Sequence, residues 1–311
     1  MKKDLIAIAD LSKEDIHNII YKAIDLKSEL KLEKRLHYLL GKNLALIFEK
    51  PSLRTRVTFE VAIRQLSGSA IYLSQADIGM GKRESIADIA KNLSRWVNII
   101  AARTFSHQTV LDLAKYCSIP VINALSDLEH PCQALADFLT IYDLQGKIEG
   151  SNLAWIGDGN NVCHSLMLAS AILGANMKIA TPAGYEPKPE ITKKALEFAS
   201  ATNAKIVVGN NPQEAVVDST FIYTDTWTSM GQETEAEKRK AIFGGFQVNA
   251  QLLNNAPTRY YVMHCLPAHR GEEITDDVLD GPHSIVLDQS ENRLHVQRAI
   301  LAILLEKKKK I

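Results

Sequence analysis

In the segment Phe48-Glu-Lys-Pro-Ser-Leu-Arg-Thr-Arg-Val-Thr-Phe-Glu60, Ser52, Arg54 and Thr55 stand where an apolar, β-suitable run gives way to a helical pattern. Pro51 ends strand pairing, and a helix is expected from about Thr55 to Leu66, closed by Gly68. A helix start offers unpaired backbone N–H groups and the positive end of the helix dipole. Two hydroxyls and a guanidinium added there suit a phosphate. A capped helix with surface arginines would use the same residue types. Arginine at a helix start is nevertheless electrostatically unfavourable unless an anion offsets it, and this favours the anion site. A second strand end carries Arg103, where a parallel sheet presents its ligand crevice. At a third, His130 and Gln133 bracket Pro131 at an expected first helical turn, so both can face one spot.

The second half holds a different set. Gly157-Asp-Gly-Asn-Asn161 follows a strand and opens a helix, but Val162 occupies the third glycine position of a dinucleotide fingerprint. The next strand ends in Ala180-Thr-Pro182, without the acidic residue that would hold a ribose. A nicotinamide dehydrogenase is therefore disfavoured, while Asn160 and Asn161 stay well placed for a polar substrate group. Asp225 follows another apolar run, and its carboxylate suits an ammonium group, with the Ser229 hydroxyl nearby in sequence; an Asx-turn capping the next segment is the plain alternative. His264, Cys265 and His269 raise a zinc site, but structural zinc wants four ligands in close pairs and no second pair exists. No metal is expected, and Cys265 is a candidate for substrate contact.

These residues need strand ends to hold them, and the pattern supplies them. Strands are expected at Asn43–Phe48, Ala70–Leu73, Val97–Ala102 and Pro120–Ala124, and helices at Glu84–Trp96, His107–Tyr116 and from Pro131 to about Gln145. Ser12 and Asp15 open an earlier helix with a capping-box pattern. The alternation restarts after Gly146–Gly150 with strands at Leu153–Gly157, Met177–Thr181, Lys205–Val208, Phe221–Thr224, Tyr260–His264 and Ser284–Leu287, and helices between, including Val162–Leu173. The last helical pattern runs over about Glu291–Glu306. Such alternation implies an α/β protein with two doubly wound domains, each a mainly parallel sheet with helices on both faces.

Composition agrees. The chain has 311 residues, 46% hydrophobic, with Lys+Arg 36 and Asp+Glu 36. That length usually forms two domains, and the apolar content and balanced charge exclude disorder. Zero net charge argues against a partner bound mainly through a phosphate backbone, so no nucleic acid is expected. No apolar run is long enough to span a membrane, and Asp4 and Asp10 interrupt any secretory core. Cys117, Cys132, Cys163 and Cys265 are scattered, without a C-x-x-C pair, and read as reduced thiols in a cytoplasmic protein. Lys307–Lys310 reads as a solvated helix end.

The motifs Ser52-Leu-Arg-Thr-Arg56, Arg103-Thr104, His130-Pro-Cys-Gln133, Gly157–Asn161, Asp225…Ser229-Met230-Gly231 and His264-Cys265-Leu266-Pro267 occur in the order seen in ornithine carbamoyltransferases. The chain resembles that family over essentially its whole length. The first three motifs are common to the transcarbamylase superfamily, and the Ser-Met-Gly and His-Cys-Leu-Pro motifs to its ornithine branch. The resemblance implies transfer of a carbamoyl group from carbamoyl phosphate to L-ornithine, giving L-citrulline and phosphate without a metal or redox cofactor. It implies a carbamoyl phosphate domain over 1–145, an ornithine domain over 146–289, and a C-terminal helix of about 290–311 packing back on the first. Carbamoyl phosphate ligands by this likeness are Ser52, Leu53, Arg54, Thr55, Arg103, His130, Gln133, Cys265, Leu266 and Arg293; ornithine ligands are Asn161, Asp225, Ser229 and Met230. Asp225, Cys265, Arg103 and Arg54 take the catalytic roles. Domains that close on substrates, a homotrimer or multiple of trimers, and a cis Leu266–Pro267 bond are also implied. The same residues serve biosynthetic and catabolic members, so the motifs leave the direction open.

Two positions depart from the family pattern. Leu53 stands where a threonine is usual, which removes a hydroxyl and leaves the backbone N–H. Gly79 stands where many members carry glutamine or histidine in a loop that reaches the neighbouring subunit. Lys82, two residues before Glu84 as in aspartate carbamoyltransferases, is expected to supply that contact to the adjacent subunit's carbamoyl phosphate.

Overall fold

The computed structural model describes residues 3–32, 37–81, 83–228 and 233–306. The chain forms two compact units: residues up to Leu139 together with those from Glu291 onward, and Thr140–Ser290. The divisions fall inside the helices Pro131–Gln145 and Val286–Leu305.

The first unit is built on four strands, β1 (Asn43–Phe48), β2 (Ser69–Ser74), β3 (Ile99–Arg103) and β4 (Val121–Leu125), in the order β2-β1-β3-β4. All pairings are parallel; Leu46 lies opposite both Tyr72 of β2 and Ala101 of β3. Their continuous apolar runs suit burial on both faces. On one face, Ala45, Ile47, Ile100 and Ala102 pack with Ile89 and Leu93 of helix Ile86–Trp96 and with Val110 and Leu113 of helix His107–Tyr116. Leu44, Leu46 and Phe48, pointing the other way, are buried as well.

The second unit carries β5 (Asn152–Ile156), β6 (Asn176–Ala180), β7 (Ile206–Gly209), β8 (Phe221–Thr224) and β9 (Tyr261–His264), all parallel, in the order β7-β6-β5-β8-β9. Ala154, Ile156, Ile222 and Val262 pack against Val248, Leu252, Leu253, Val278 and Leu279. Helix Asn161–Leu173, of which all but Asn161 is buried, follows β5 and ends at Gly174 in the left-handed conformation that favours glycine.

One expected strand is corrected. Ser284–Leu287 does not form a strand: Ser284 makes a single parallel bridge to Val262, and a helix begins at Val286. Its inward face carries Gln289, Asn292 and Arg293 beside Val286 and Val296, all buried. Polar residues on the buried stripe hid the helical period, leaving only the β-branched start visible in the sequence. Elsewhere boundaries move by a few residues, as where the helix expected from about Thr55 begins at Leu53, capped by Ser52.

Each sheet reverses its winding once, between β1 and β3 in the first unit and between β5 and β8 in the second. The crevice beyond the carboxyl ends of strands at such a reversal is where open α/β sheets bind ligands. β1 leads to Ser52, β3 ends in Arg103, β5 leads to Asn160 and β8 leads to Asp225.

Candidate active site

In the first unit, the Ser52 side chain accepts the Thr55 N–H at 3.3 Å, and its hydroxyl donates to Thr55 Oγ1 at 3.0 Å. Leu53 is 74% exposed at the first helical position, so its missing hydroxyl leaves no buried gap. Arg54, half-buried, follows it on the first turn. Arg103 ends β3, where the pairing with β4 slips by one residue. Such a bulge bends the strand and re-aims the side chain there.

A buried chain of hydrogen bonds joins the remaining residues. Asp137 Oδ1 accepts from Gln133 Nε2 at 2.8 Å, and Gln133 Oε1 accepts from Arg293 Nη1 at 2.8 Å. Arg293 Nη2 then donates to Thr55 Oγ1 at 2.9 Å. Arg293 thus reaches the site from the far end of the chain, with its guanidinium held flat by two neutral acceptors. His130, one residue ahead of helix Pro131–Gln145, is 3% exposed. Burial first, and then the positive charges of Arg293, Arg103 and Lys50, hold its imidazole well below its usual range. His130 is therefore neutral at pH 7, a single N–H donor amid three cations. Such a concentration of guanidinium and ammonium groups favours a dianion, while the neutral imidazole can polarise a carbonyl.

In the second unit, the Asn160 side chain caps helix Asn161–Leu173, Oδ1 accepting from Val162 N and Cys163 N. Its Nδ2 donates to Asp225 Oδ2 at 2.8 Å. Asp225 Oδ1 accepts the Thr226 N–H at 2.8 Å and the Cys265 thiol at 3.0 Å. Asp225, 8% exposed, is thus gripped from two other loops rather than capping the next segment. Asn161, half-exposed, opens the helix. Gly159 lies so close to the Tyr185–Pro187 segment that an added Cβ would stand 2.3 Å from Pro187 N, and its N–H donates to Tyr185 O. That segment fills the place where a pyrophosphate would approach a dinucleotide loop.

Leu266 adopts a φ of 58°, and the Leu266–Pro267 bond is cis. His264 holds this turn. Its Nδ1 accepts the Leu266 N–H at 2.8 Å, so Nε2 carries the proton and donates to the buried Glu273 Oε1 at 3.0 Å. Asp225, His264 and Cys265 lie close enough to offer atoms to one ion, whereas His269 falls in a separate group with Glu272 and Glu273. Both nitrogens of His264 are engaged within the protein, which speaks against the zinc set His264, Cys265 and His269. The other cysteines are buried, the thiol of Cys132 pushed up to about 12 and that of Cys163 well above its usual range. Cys265 alone among the four is half-exposed.

Lys82, Ser229 and Met230 lie outside the described residues. Gly79, at the other departure from the family pattern, ends the short helix Gln75–Ile78 with a φ of 58°. A Cβ there would lie 2.8 Å from Arg83 Cβ, so conformation and space both select glycine. Sequence reasoning passed over Lys50, Asp137, Asn160 as a partner of Asp225, Glu273 and Arg239. Glu273 and Arg239 lie outside the motifs quoted, and neither shows a spacing that would have marked it.

The comparisons with known proteins cover nearly the whole chain. Residues 3–143 match the family described as aspartate/ornithine carbamoyltransferase, carbamoyl-P binding domain, and residues 149–304 its Asp/Orn binding domain. An ornithine carbamoyltransferase of Pyrococcus horikoshii is 52% identical over 303 residues, 97% of this chain and 96% of that protein. One from Anoxybacillus flavithermus is 51% identical over the same shares. The solved ornithine carbamoyltransferase of Pyrococcus furiosus superposes with a TM-score of 0.96 at 51% identity, covering 99% of this chain and 98% of that one. With a cluster of cations at one switch point, a carboxylate–thiol pair at the other, and both family domains matched in order, the chain belongs to the aspartate/ornithine carbamoyltransferase family.

Proposed function

We propose that the protein transfers the carbamoyl group of carbamoyl phosphate to the side-chain amine of L-ornithine, releasing L-citrulline and phosphate. The observation that carries the ornithine assignment is Asp225, held by Asn160 and by the Cys265 thiol at 3.0 Å. A carboxylate in that setting suits an amino acid whose side chain ends in an ammonium and has nothing to offer the side-chain carboxylate of aspartate.

In this reading Ser52, the Leu53 N–H, Arg54, Thr55, Arg103, Gln133 and Arg293 bind the phosphate end. His130, with Arg54 and Arg103, polarises the carbonyl and stabilises the oxyanion of the tetrahedral intermediate. The δ-amine, with an intrinsic pKa of about 10.4, must lose a proton before it attacks the carbamoyl carbon. Asp225 and Cys265 orient it and ease that loss. The C–N bond forms, the C–O bond to phosphate breaks, and phosphate leaves among the cations. The Cys265 and Leu266 backbone steadies the carbamoyl group, while Asn161, Ser229 and Met230 hold the rest of ornithine. The reaction calls for no metal or redox cofactor. The working form is a cytoplasmic homotrimer, or a multiple of one, in which Lys82 reaches carbamoyl phosphate in the adjacent subunit.

Citrulline formation assayed with ornithine, putrescine and aspartate in parallel tests the reading; ornithine is expected to be preferred at least ~100-fold, and comparable rates with either rival would refute it. For the assembly, mixing inactive Arg54→Ala chains with Lys82→Ala chains should regenerate activity. An unimpaired Lys82→Ala variant would remove that residue from the site.

A further inference from the structure

Arg239, on helix Ala236–Phe243, is only 6% exposed. Its Nη1 lies 3.1 Å from Asp158 Oδ2 and donates to the Trp227 carbonyl at 2.8 Å; its Nε donates to Glu235 Oε2 at 3.3 Å. The guanidinium sits over the Tyr185 ring at 4.9 Å. Asp158 is held in turn, its carbonyl accepting from Trp155 Nε1 at 2.9 Å. One side chain therefore ties three places together: the loop after β5, the start of the segment after β8, and Glu235 just ahead of helix Ala236–Phe243.

The placement is specific. Asp158 precedes Asn160 by two residues, and Trp227 follows Asp225 by two, so the ion pair braces both sides of the Asn160–Asp225 contact. Desolvating two charges costs several kcal/mol, and a buried ion pair is a poor way to gain stability compared with apolar packing. Its use here, in a unit with an ample apolar core, fits a positional role.

We propose that Asp158 and Arg239 are positioning residues for the amino-acid substrate: their ion pair, with the Arg239–Trp227 hydrogen bond, fixes the backbone on both sides of the Asn160–Asp225 contact and so sets the affinity for ornithine. The proposal rests on the ornithine reading above and assigns neither residue a contact with substrate. It includes a pH dependence. Asp158 faces Arg239, Asp225 and Glu235; burial pushes its carboxyl up to about 6, Arg239 opposing and the two acids adding to the rise. The pair therefore weakens as pH falls through 6.

The test compares the full-length protein with Arg239→Lys, Arg239→Gln and Asp158→Asn. Arg239→Gln and Asp158→Asn should each raise KM for ornithine at least ~10-fold, leaving KM for carbamoyl phosphate within about twofold and kcat within about threefold. Arg239→Lys, which keeps the charge and loses the fork, should fall between. The double variant should be no worse than the poorer single one. In the native protein kcat/KM for ornithine should drop more steeply below pH 6 than in Asp158→Asn. Unchanged KM for ornithine, or equal rises for both substrates, would overturn the proposal. A native protein that forms no citrulline would instead refute the ornithine reading. Cleavage by a glutamate-specific protease at Glu233 and Glu235 then decides the clamp alone: Arg239→Gln should be cut at least ~10-fold faster, and equal rates would reject it.

Discussion

The two switch points solve opposite electrostatic problems with the same architecture. In the first unit, Arg103, Arg293 and Lys50 surround a neutral His130, and the polar partners that orient Arg293 are an amide and a hydroxyl. In the second, the central charge is a carboxylate, and its partners are an amide N–H, a backbone N–H and a thiol. The hydrogen bonds to Gln133 and Thr55 and those to Asp225 come from neutral groups, which orient a charge without cancelling it. The contrast shows why sheet topology alone says little about chemistry. β1 leads to Arg54 and β3 ends in Arg103, whereas β8 leads to Asp225, and the ligand class follows from those side chains.

The largest expected effect is at the cationic point. Arg54→Ala should reduce turnover at least ~100-fold, by analogy with loss of one oxyanion-type donor. The helix whose first turn it occupies keeps its Ser52 cap, so circular dichroism should stay native. Near-normal turnover in the folded variant would break the assignment of that site to the reacting anion.

At the acidic point the effect is smaller and selective. Cys265→Ala removes one hydrogen bond to Asp225, worth about 1.5 kcal/mol or roughly tenfold. Steady-state kinetics should show that loss in KM for ornithine, with KM for carbamoyl phosphate little changed. Equal changes in both constants would erase the distinction between the two sites. A native enzyme losing activity to a chelator would reopen the metal reading of Asp225, His264 and Cys265.

Gln133→Ala probes how the cations are held. It removes the links to both Arg293 and Asp137, at a cost of about 1–3 kcal/mol for buried groups losing partners. Thermal unfolding should shift down by several degrees and phosphate protection against unfolding should weaken. An unchanged melting temperature would mean that the Thr55 bond and packing suffice to hold Arg293 without Gln133.

The smallest effect is a pH dependence of stability. His130 is held well below its ordinary value of 6.5 in the folded protein, so the unfolded chain binds the extra proton first. Its contribution is fully present above pH 6.5 and is lost progressively as pH falls below that value. Melting temperatures between pH 7.5 and 5.5 should therefore fall less in His130→Asn than in the native protein. A parallel decline in the two would mean that His130 protonates as readily folded as unfolded.

Much of this was legible in the sequence because local chemistry imposed it. The apolar run of β1, a helix start after Pro51, and an arginine placed there together mark an anion site at a strand end. The missing third glycine and the absent ribose acid dispose of a dinucleotide, and the structure adds the Tyr185–Pro187 segment that fills the space. Strand alternation was readable because each β-run is uniformly apolar, while Ser284–Leu287 misled because the helix beyond it buries polar residues.

What the sequence determined by itself was therefore the inventory: which side chains sit at strand ends, and which ligand charges they suit. Partnerships between distant residues were decided by the tertiary structure alone. Arg293 reaches Thr55 across 238 positions, Cys265 reaches Asp225 across 40, and Arg239 reaches back to Asp158. No local propensity encodes such pairs. They arise because strand ends and the helices packed over them bring residues distant in sequence side by side, where burial favours polar groups that find partners.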